Sequence, residues 1–452
     1  MVASHLARQT SARVDITVFE RTGRFGAGVA YSTPYACHLL NVPAARMSAF
    51  PHDPHHFLRW AQARDASISS VSFLPRQLYS AYLADVLEEA QLGVAGGSRL
   101  RRVDAEVAGI RRRETQQWDV ELSDGSTHAS DIAVLAIGNF PPANPGCDTP
   151  EFYASDAYRQ DPWAPDALAI DADHDVLLLG TGLTTIDIAI ALNDQGHRGT
   201  ITAISRRGLM PRWLRPDVAA TGDAAPDASI RTWPSTARGY LSGFRASLSA
   251  TGSEDATVEL WRALVASLRS VTPALWKSLP LNERARFLRH VRPYWDTHRH
   301  GAAPAIGRAI DSMRAAGRLH VMAGRVRSYA LSDDVVIAKV RRRGSAVDET
   351  ITAHRVVNCT GPDTNLSRVS SPLVQSLFRN RMLRADPLRI GLVTDDDGNL
   401  LDADGHRQAG LYLAGPLRRG HTWENLAVPE LREEAAQLAE HLVSSLRVQA
   451  QR

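Results

Sequence analysis

Residues 174–192 read HDVLLLGTGLTTIDIAIAL, an apolar run followed by a glycine turn and a second apolar segment with helical spacing. A lone Gly-x-Gly is weak evidence, but a strand before it and a helix after it are the context in which such a turn binds a pyrophosphate. The glycines permit the tight turn, and the helix N-terminus presents free N–H groups and a positive dipole. We therefore predict a dinucleotide site at Gly180, Gly182, Thr184 and Thr185, with Thr185 in the place of the third glycine of the fingerprint.

The strand predicted next, Thr200–Ile204, ends in Ser205, Arg206 and Arg207. A site for NADH would carry an acidic residue here, which would repel a 2′-phosphate, whereas arginine pairs with that phosphate. The sequence therefore favours NADPH over NADH, with these three residues at the phosphate. The alternative is a pair of surface arginines, which are common in so arginine-rich a chain.

The start of the chain has the pattern of a second Rossmann unit: a helix at Val2–Gln9, a strand at Asp15–Phe19, and then Glu20. An acidic residue that closes the second strand of such a unit hydrogen-bonds the adenosine ribose, about 20 residues after the glycine fingerprint. Counting back from Glu20 places that fingerprint before Met1, so we expect an N-terminally truncated unit. Two explanations stay open, a start codon assigned too far downstream and a truncated gene product.

Two apolar strands that end in glycine, Asp131–Gly138 and Arg355–Gly361, are predicted to be the crossings between two dinucleotide-binding domains. The prolines between Asn139 and Pro145 fit such a crossing. The predicted fold class is α/β, with two three-layer Rossmann-like domains, one inserted in the other. We expect a discontinuous first domain for FAD at residues 1–145 and 350–452, and an NADPH-binding domain at 146–349 with a helical insertion at about 211–318.

The predicted insertion contains a dense polar and aromatic cluster between residues 292 and 300. Such a cluster can build a substrate pocket or lid, and the alternative is that these side chains only pack and cap helices. Histidines here and at residues 52, 55 and 56 could suggest a metal, but no carboxylate or thiol completes a ligand set, so we predict none. The pocket candidates are Arg292, Trp295, Asp296, His298 and Arg299.

Composition and charge exclude several classes of protein. Apolar residues make up 44% and charged residues 22% of the 452 residues, which is typical of a globular chain with two domains. A net charge of +3 without charge blocks predicts no nucleic-acid partner, and no apolar run is long enough to predict a membrane span. The three cysteines lack the spacing of a disulfide reductase or a zinc site, and a reducing cytoplasm fits their small number.

Motifs along nearly the whole chain resemble one family, the FAD/NAD(P)-binding flavoproteins that include a bacterial FAD-dependent urate hydroxylase and flavin-dependent aspartate N-hydroxylases. The motifs are GAGVAY, LLNVPAARMSAF, VLAIG, GTGLTTID, SRRG, RPYWDTHRH, NCTGP and AGPLRRGHTWENLAVPELR. The resemblance implies that FAD contacts Glu20, Asn41, Val42, Pro43, Met47, Gly415, Pro416, Val428 and Pro429. Four glycines that let the backbone approach a ligand complete the expected cofactor contacts: Gly26, Gly28, Gly138 and Gly361.

These features predict an enzyme, an FAD-dependent oxidoreductase that oxidises NADPH. The resemblance implies a monooxygenase that uses O2 to hydroxylate a small polar substrate, with nitrogen-containing compounds among the expected ones. Two alternatives stay open, an NADPH oxidase or reductase without hydroxylation and a truncated NADPH-binding protein without enzymatic activity. In the enzyme, the flavin would supply the chemistry, and the protein would supply orientation and the exclusion of water. We expect it in the cytoplasm of a bacterium.

Overall fold

The computed structural model describes residues 1–8, 13–93, 98–146, 149–214, 228–249 and 263–450. Runs of strands and runs of helices follow one another along this part of the chain. The strands are β1 (Asp15–Glu20), β2 (Arg99–Asp104), β3 (Val107–Arg112), β4 (Trp118–Leu122), β5 (Thr127–Ser130), β6 (Ala133–Leu135), β7 (Tyr158–Arg159), β8 (Val176–Leu179), β9 (Ile201–Ser205), β10 (Leu319–Ser332), β11 (Val335–Arg342), β12 (Asp348–Ala353), β13 (Arg355–Asn358), β14 (Asn399–Leu401) and β15 (Arg407–Leu413).

The helices vary from single turns to the long C-terminal helix, and none that the structure describes combines the length and apolarity needed to cross a bilayer. The helices with described bounds are α1 (Val2–Ala7), α2 (Gly28–Tyr31), α3 (His56–Gln62), α4 (Arg76–Leu92), α5 (Pro150–Tyr153), α6 (Leu183–Asp194), α7 (Ala237–Ser249), α8 (Thr272–Ser278), α9 (Leu281–Arg286), α10 (Arg292–Arg299), α11 (Pro304–Ala315), α12 (Pro372–Arg379), α13 (Arg419–Thr422) and α14 (Val428–Ala450).

The Gly180 turn belongs to a seven-stranded sheet with the order β12-β11-β10-β9-β8-β13-β7. Strand β8 pairs in parallel with β9 on one side and β13 on the other. Val176 and Leu178 lie in an apolar cluster on one face of the sheet, and Leu177 and Leu179 lie in a second cluster on the other face. Burial on both faces explains the uninterrupted apolar run, because a strand covered on both sides has no polar face. The predicted strand, turn and helix are confirmed.

The first domain contains two groups of strands with parallel pairs, β1 with β2 and β15 with β6, and β14 is antiparallel to β15. One group is β1 with β2, and the other has the order β14-β15-β6. A single apolar cluster packs residues of both groups against helices α1, α4 and α14, and it includes Leu6, Ile16, Leu100, Tyr412 and Leu438. No strand pairing joins the two groups within the described ranges. The α/β layering agrees with the prediction, and the strand predicted at Asp15–Phe19 is present as β1.

The position of β13 corrects the predicted domain limits. This strand lies between β8 and β7, and its residues pair one for one with Val176–Leu179. Residue 350, the predicted return to the first domain, falls inside β12, which belongs to the same seven-stranded sheet. The assignment of Arg355–Asn358 to the first domain is therefore wrong. A buried parallel strand has the same apolar composition in either sheet, so the pattern could not identify its neighbours.

Helices α7–α11 lie between β9 and β10, where the helical insertion was predicted. The predicted insertion also covers residues 215–227 and 250–262, which lie outside the described residues. The insertion packs against the C-terminal segment through aromatic rings. The ring centroids of Trp276 and Trp423 are 4.7 Å apart and stacked, and the ring of Phe287 meets Trp423 edge-on at 5.2 Å. This contact places α10 beside the segment that precedes α14.

A buried ion pair joins the first domain to the helix that follows the Gly180 turn. Two guanidinium nitrogens of Arg76, in α4, lie 2.8 and 3.0 Å from the carboxylate oxygens of Asp187, in α6. The two side chains are only 9% and 10% exposed. The ring of His38 lies 2.7 Å from the Thr33 hydroxyl through one nitrogen and 2.9 Å from the Asp187 carbonyl oxygen through the other. Both charged groups are removed from water, so the loss of either one would leave the other buried without a neutralising partner.

We expect the free energy of unfolding to decrease as the pH falls below about 6.5, the ordinary pKa of histidine. Burial lowers the pKa of His38, and it lowers the pKa of His5 to about 4. Such histidines bind fewer protons in the folded chain than in the unfolded chain, so stability rises with pH up to the unfolded pKa and is flat above it. Urea unfolding at several pH values measures this dependence. His5→Leu should make the acid slope shallower, and an unchanged slope would contradict the assignment to His5.

Candidate functional site

The Gly180 turn lies at the sheet edge where the carboxyl ends of β8, β9 and β13 meet. Gly180 has a φ of +126°, and a Cβ on it would lie 2.4 Å from the carbonyl oxygen of Cys359. Gly182 is the N-cap of α6, and a Cβ there would meet nothing within 4 Å. Thr184 is half-buried and Thr185 is buried in the first turn of the helix. Open space in front of unpaired helix N–H groups is the geometry that suits a pyrophosphate.

The three residues predicted at a 2′-phosphate have different surroundings. The hydroxyl of Ser205 lies 2.8 Å from the hydroxyl of Thr181, so it links β9 to the glycine turn. Arg207 donates to a backbone carbonyl of the helical insertion at 3.1 Å, and its guanidinium lies 5.3 Å from the ring centroid of Tyr294. Arg206 and Arg207 both line an open cavity, and Arg206 has no carboxylate partner in the described part of the chain.

Glu20 ends β1, and its carboxylate organises the loop that follows. Its Oε2 accepts hydrogen bonds from the N–H and hydroxyl of Thr22, at 2.7 and 2.6 Å, and from the N–H of Arg24, at 3.1 Å. All three donors use the same oxygen, so Oε1 is available to accept from a ribose hydroxyl. Gly26 and Gly28 lie in this loop with φ values of +87° and +56°. Their contact with a cofactor stays a prediction.

The loop after Asn41 and the start of α14 come together, although they are far apart in the chain. Met47 and Val428 are buried in one apolar cluster. Arg432, one helical turn into α14, has a guanidinium nitrogen 3.5 Å from the carbonyl oxygen of Ser48. The six residues predicted to contact FAD here are half-buried or buried: Asn41 and Val42 are half-buried, and Pro43, Met47, Val428 and Pro429 are buried.

Gly138 and Gly415 follow β6 and β15, which pair in parallel, so the two glycines lie at one edge of the first domain. Their φ values are +65° and +96°, and a Cβ on either would meet nothing within 4 Å. The amide of Asn425 donates to the carbonyl oxygen of Gly415 at 2.8 Å and so ties the two ends of the loop that contains Pro416. Gly361 follows β13 in the other sheet, but the segments after β6 and β13 meet, because Phe140 and Asp363 form a bridge.

Two pocket candidates belong to a buried network of charges between α10 and the C-terminal segment. A guanidinium nitrogen of Arg299 lies 3.0 Å from Glu424 and 2.9 Å from Glu430. The indole nitrogen of Trp295 donates to Glu424 at 3.0 Å. Arg269, from the start of the α8 region, pairs with the carboxylate of Glu430 at 2.6 Å. These contacts connect the insertion to the segment predicted to lie beside the flavin.

The other candidates in α10 lie beside this network. Arg292 donates to Asp296 at 3.1 Å, and the second oxygen of Asp296 is 3.9 Å from the guanidinium of Arg419. His298 contacts the carbonyl oxygen of Tyr294 in its own helix at 2.8 Å. The structure therefore brings four of the five candidates to one place, and His298 has no contact with the network in the described residues.

Four buried polar atoms of this site have no hydrogen-bond partner among the described residues. They are Asp296 Oδ1, Arg299 Nε, Arg419 Nε and Trp423 Nε1. Arg419 is only 9% exposed, and burial lowers the pKa of its guanidinium to about 10. Its guanidinium carbon lies 4.2 Å from the ring centroid of Trp423, a residue with the unusual φ of +59°. Buried polar atoms without partners are costly, so these four could be satisfied by a small polar ligand.

Arg419, Trp423 and Glu424 were missed as site residues by sequence reasoning. They belong to the segment RRGHTWENLAVPELR, in which only Val428 and Pro429 were predicted to contact a cofactor. No local signal in the sequence predicted their burial, because arginine and glutamate are mostly exposed and are buried only when paired. The partners themselves lie in α10, more than a hundred residues earlier in the chain.

Comparison with known proteins agrees with this fold. Residues 1–140 match a family described as FAD-NAD(P)-binding. An L-lysine 6-monooxygenase from Pseudomonas syringae has a TM-score of 0.63 at 16% identity, over 98% of this chain and 96% of that one. An ornithine N-hydroxylase from Kutzneria sp. 744, determined with reduced FAD, NADP+ and L-ornithine, has a TM-score of 0.59 at 16% identity and the same coverage. The thioredoxin reductase of T. acidophilum is similar with a TM-score of 0.50 at 13% identity, over 98% and 93% of the chains. The search of curated proteins gives no match.

Proposed function

We propose that this protein is an FAD- and NADPH-dependent monooxygenase that hydroxylates a small zwitterionic compound with an amino nitrogen. The observation that carries the proposal is the cluster of unpartnered buried polar atoms between α10 and the C-terminal segment. This cluster lies at the end of the first domain that also contains the open glycines after β6 and β15. The fold is shared with structures of enzymes that hydroxylate ornithine and lysine.

NADPH fits the turn at the start of α6. A Cβ on Gly182 would meet no atom within 4 Å, which leaves room for a pyrophosphate in front of the helix. At Gly180 the backbone passes so close to Cys359 that only glycine fits. The next strand of the sheet, β9, is followed by Arg206 rather than an acidic residue, which supports a dinucleotide with a 2′-phosphate.

FAD fits the residues of the first domain. Glu20 offers one carboxylate oxygen to a ribose, and Gly138 and Gly415 leave their edge of the domain open. The loop that contains Asn41 and the start of α14 would contact the ring system. When bound, FAD supplies the transfer of electrons from NADPH to O2. The protein itself contributes binding, orientation and the exclusion of water.

The substrate class follows from the donors and acceptors in the site. Among the described residues, Arg419 Nε, Arg299 Nε and Trp423 Nε1 are donors without hydrogen-bond partners, and Asp296 Oδ1 is an acceptor without one. A carboxylate group could accept from these donors, and an ammonium group could donate to Asp296. A ligand with both groups suits this set, whereas an apolar ligand would leave the atoms unpaired at a cost of about 1–3 kcal/mol each.

A disulfide reductase is a poor alternative, despite the similar fold. Cys37 and Cys359 form no disulfide, and Cys359 is buried, which raises the pKa of its thiol far above the ordinary value. A thiol held in the protonated state reacts slowly with disulfides. Cys147 lies outside the described residues, and its position in the sequence forms no vicinal pair with either of the others.

Product analysis tests the proposal. The purified full chain, supplied with FAD and NADPH, should oxidise NADPH faster when ornithine, lysine or aspartate is added, and mass spectrometry should detect an oxygen atom added to the substrate. Arg419→Met should reduce kcat/KM for that substrate by roughly ten- to hundredfold, because a buried charged contact is lost. Arg381→Met is the matched control, since Arg381 forms an exposed pair with Asp404.

Two outcomes would reject the proposal. One is a purified chain that never acquires a flavin spectrum, as expected for a protein that binds NADPH without enzymatic activity. The other is NADPH consumption matched by H2O2 with every amino compound tested, as expected for an oxidase without hydroxylation.

A further inference from the structure

A basic cavity of about 430 Å³ lies where β9, the β10–β11 hairpin and the helical insertion meet. Eight of its twelve lining residues are arginines, and none is acidic. The arginines come from all three elements, so the cavity exists only in the folded chain. A concave site with a single sign of charge concentrates anions.

Three of the eight arginines that line the cavity have a hydrogen-bond or ion-pair partner on a neighbouring element. Arg341 donates to Asp348 at 2.7 Å, and Arg342 pairs with Glu349. Arg207 is turned to the insertion, as described above. In contrast, no carboxylate lies within ion-pair distance of the other five in the described part of the chain, which are Arg206, Arg289, Arg325, Arg327 and Arg343.

The ends of β9 and β11 bring Arg206, Arg325 and Arg343 to the same edge of the sheet. Ala323 in β10 pairs with Ser205 in β9, so Arg325 continues past the point where β9 ends and Arg206 follows. The backbone N–H of Arg343 donates to the carbonyl oxygen of Ala323 at 2.8 Å, which holds the end of the hairpin against the same strand. Three guanidinium groups thus face one cavity from two directions.

The charges of Arg206 and Arg325 repel each other unless an anion is bound. Burial, followed by the charges of Arg325 and Arg292, lowers the pKa of Arg206. Like charges at close range destabilise the charged forms of each other, and a bound dianion would reverse the sign of that interaction. A phosphate monoester has three terminal oxygens and two negative charges, which suits guanidinium groups that arrive from different directions.

We propose that Arg325 and Arg343 act with Arg206 as the residues that bind a terminal phosphate group, the 2′-phosphate of NADPH, and thereby select this dinucleotide over NADH. The inference rests on the proposed use of NADPH. It moves the second arginine of the site from Arg207, as the sequence suggested, to the neighbouring hairpin. Arg341 and Arg342 are not assigned to the phosphate group, because Asp348 and Glu349 already neutralise their charges.

Nucleotide binding tests the proposal without flavin or turnover. Calorimetric titration of the full chain should show that 2′,5′-ADP binds more tightly than 5′-ADP. Arg325→Ala and Arg343→Ala should each weaken 2′,5′-ADP by roughly ten- to hundredfold, the usual effect of losing a charged hydrogen bond, and leave 5′-ADP unchanged. Arg325→Lys should recover only part of the affinity, because lysine cannot form the bidentate contact. Lys339→Ala is the matched control, because this exposed cation lies on the same hairpin outside the cavity lining, and the variant should bind both nucleotides as the parent does.

Several results would overturn the inference. One is equal weakening of 5′-ADP and 2′,5′-ADP, which would indicate a general effect on the nucleotide site. Another is inorganic phosphate or pyrophosphate that binds as tightly as 2′,5′-ADP, which would indicate a site for free anions. If hydroxylation and a preference for NADPH are observed but neither variant alters that preference, the inference is wrong and the proposed function stands. If the variants lose 2′,5′-ADP but no hydroxylated product forms, the proposed monooxygenase activity is wrong and the inference stands.

Discussion

Replacing Arg76 with alanine is expected to lower the free energy of unfolding by about 3–5 kcal/mol, the cost of leaving a buried charge without its partner. The variant leaves Asp187 in α6 with a carboxylate that is only 10% exposed. It also removes the contact between Arg76 Nε and the carbonyl oxygen of Leu39, at 3.1 Å. Urea unfolding followed by tryptophan fluorescence measures the loss as a shift of the midpoint.

Two variants control for the interpretation of the Arg76 result. Arg381→Ala removes a pair in which the side chains are 66% and 58% exposed, and such pairs contribute little to stability, so the midpoint should stay near that of the parent. The double variant Arg76→Met with Asp187→Leu replaces the buried charges by apolar groups and should recover most of the loss. If Arg76→Ala unfolds at the same midpoint as the parent, Asp187 does not depend on this arginine, and the described contact between the domains is wrong.

Gly180→Ala is expected to abolish tight binding of NADPH and to destabilise the second domain. An alanine at this position needs a φ of +126°, which residues with a side chain rarely adopt, and its Cβ would lie 2.4 Å from the carbonyl oxygen of Cys359. Alanine where φ is positive costs more than about 1 kcal/mol, and relief of the clash requires that β8 and β13 move apart. Because the same turn supports the start of α6, the phosphate site moves with it. Thermal unfolding and the quenching of tryptophan fluorescence by NADPH measure the two effects.

Gly182→Ala is the matched comparison for the same turn. Gly182 has a φ of −87°, and a Cβ there meets nothing within 4 Å, so the folded chain should tolerate alanine with little change of its unfolding temperature. The added methyl group occupies the space in front of the helix N–H groups, so we expect NADPH to bind roughly tenfold more weakly, about 1.4 kcal/mol. If Gly182→Ala unfolds as early as Gly180→Ala, the tight backbone contact is not what distinguishes the two glycines.

The elements that were predicted correctly are those whose signal is local. The Gly180 turn with its strand and helix and the strand at Asp15–Phe19 appear in the described chain. Their apolar spacing reflects which faces of each element are buried, and a glycine marks a turn through its own backbone freedom. Both kinds of signal are carried by residues that are close in the sequence.

The prediction that needed correction depended on neighbours distant in the chain. The strand Arg355–Asn358 was placed in the first domain, but its hydrogen-bonding partners are in β8. Its local pattern was the same for both possible neighbours. The contacts predicted for Arg207 with a phosphate and for Gly361 with a cofactor stay predictions.

The amino-acid sequence by itself determined the glycine turn at Gly180 with its strand and helix, the arginine after β9, and the absence of vicinal cysteines. Each of these is a property of a short segment. Folding added the charged cluster around Arg419 and Asp296, the basic cavity completed by Arg325 and Arg343, and the Arg76–Asp187 contact between the domains. Each of these joins side chains from elements far apart in the chain. Their energies depend on distance, burial and the partner that packing supplies, so no single segment contains them.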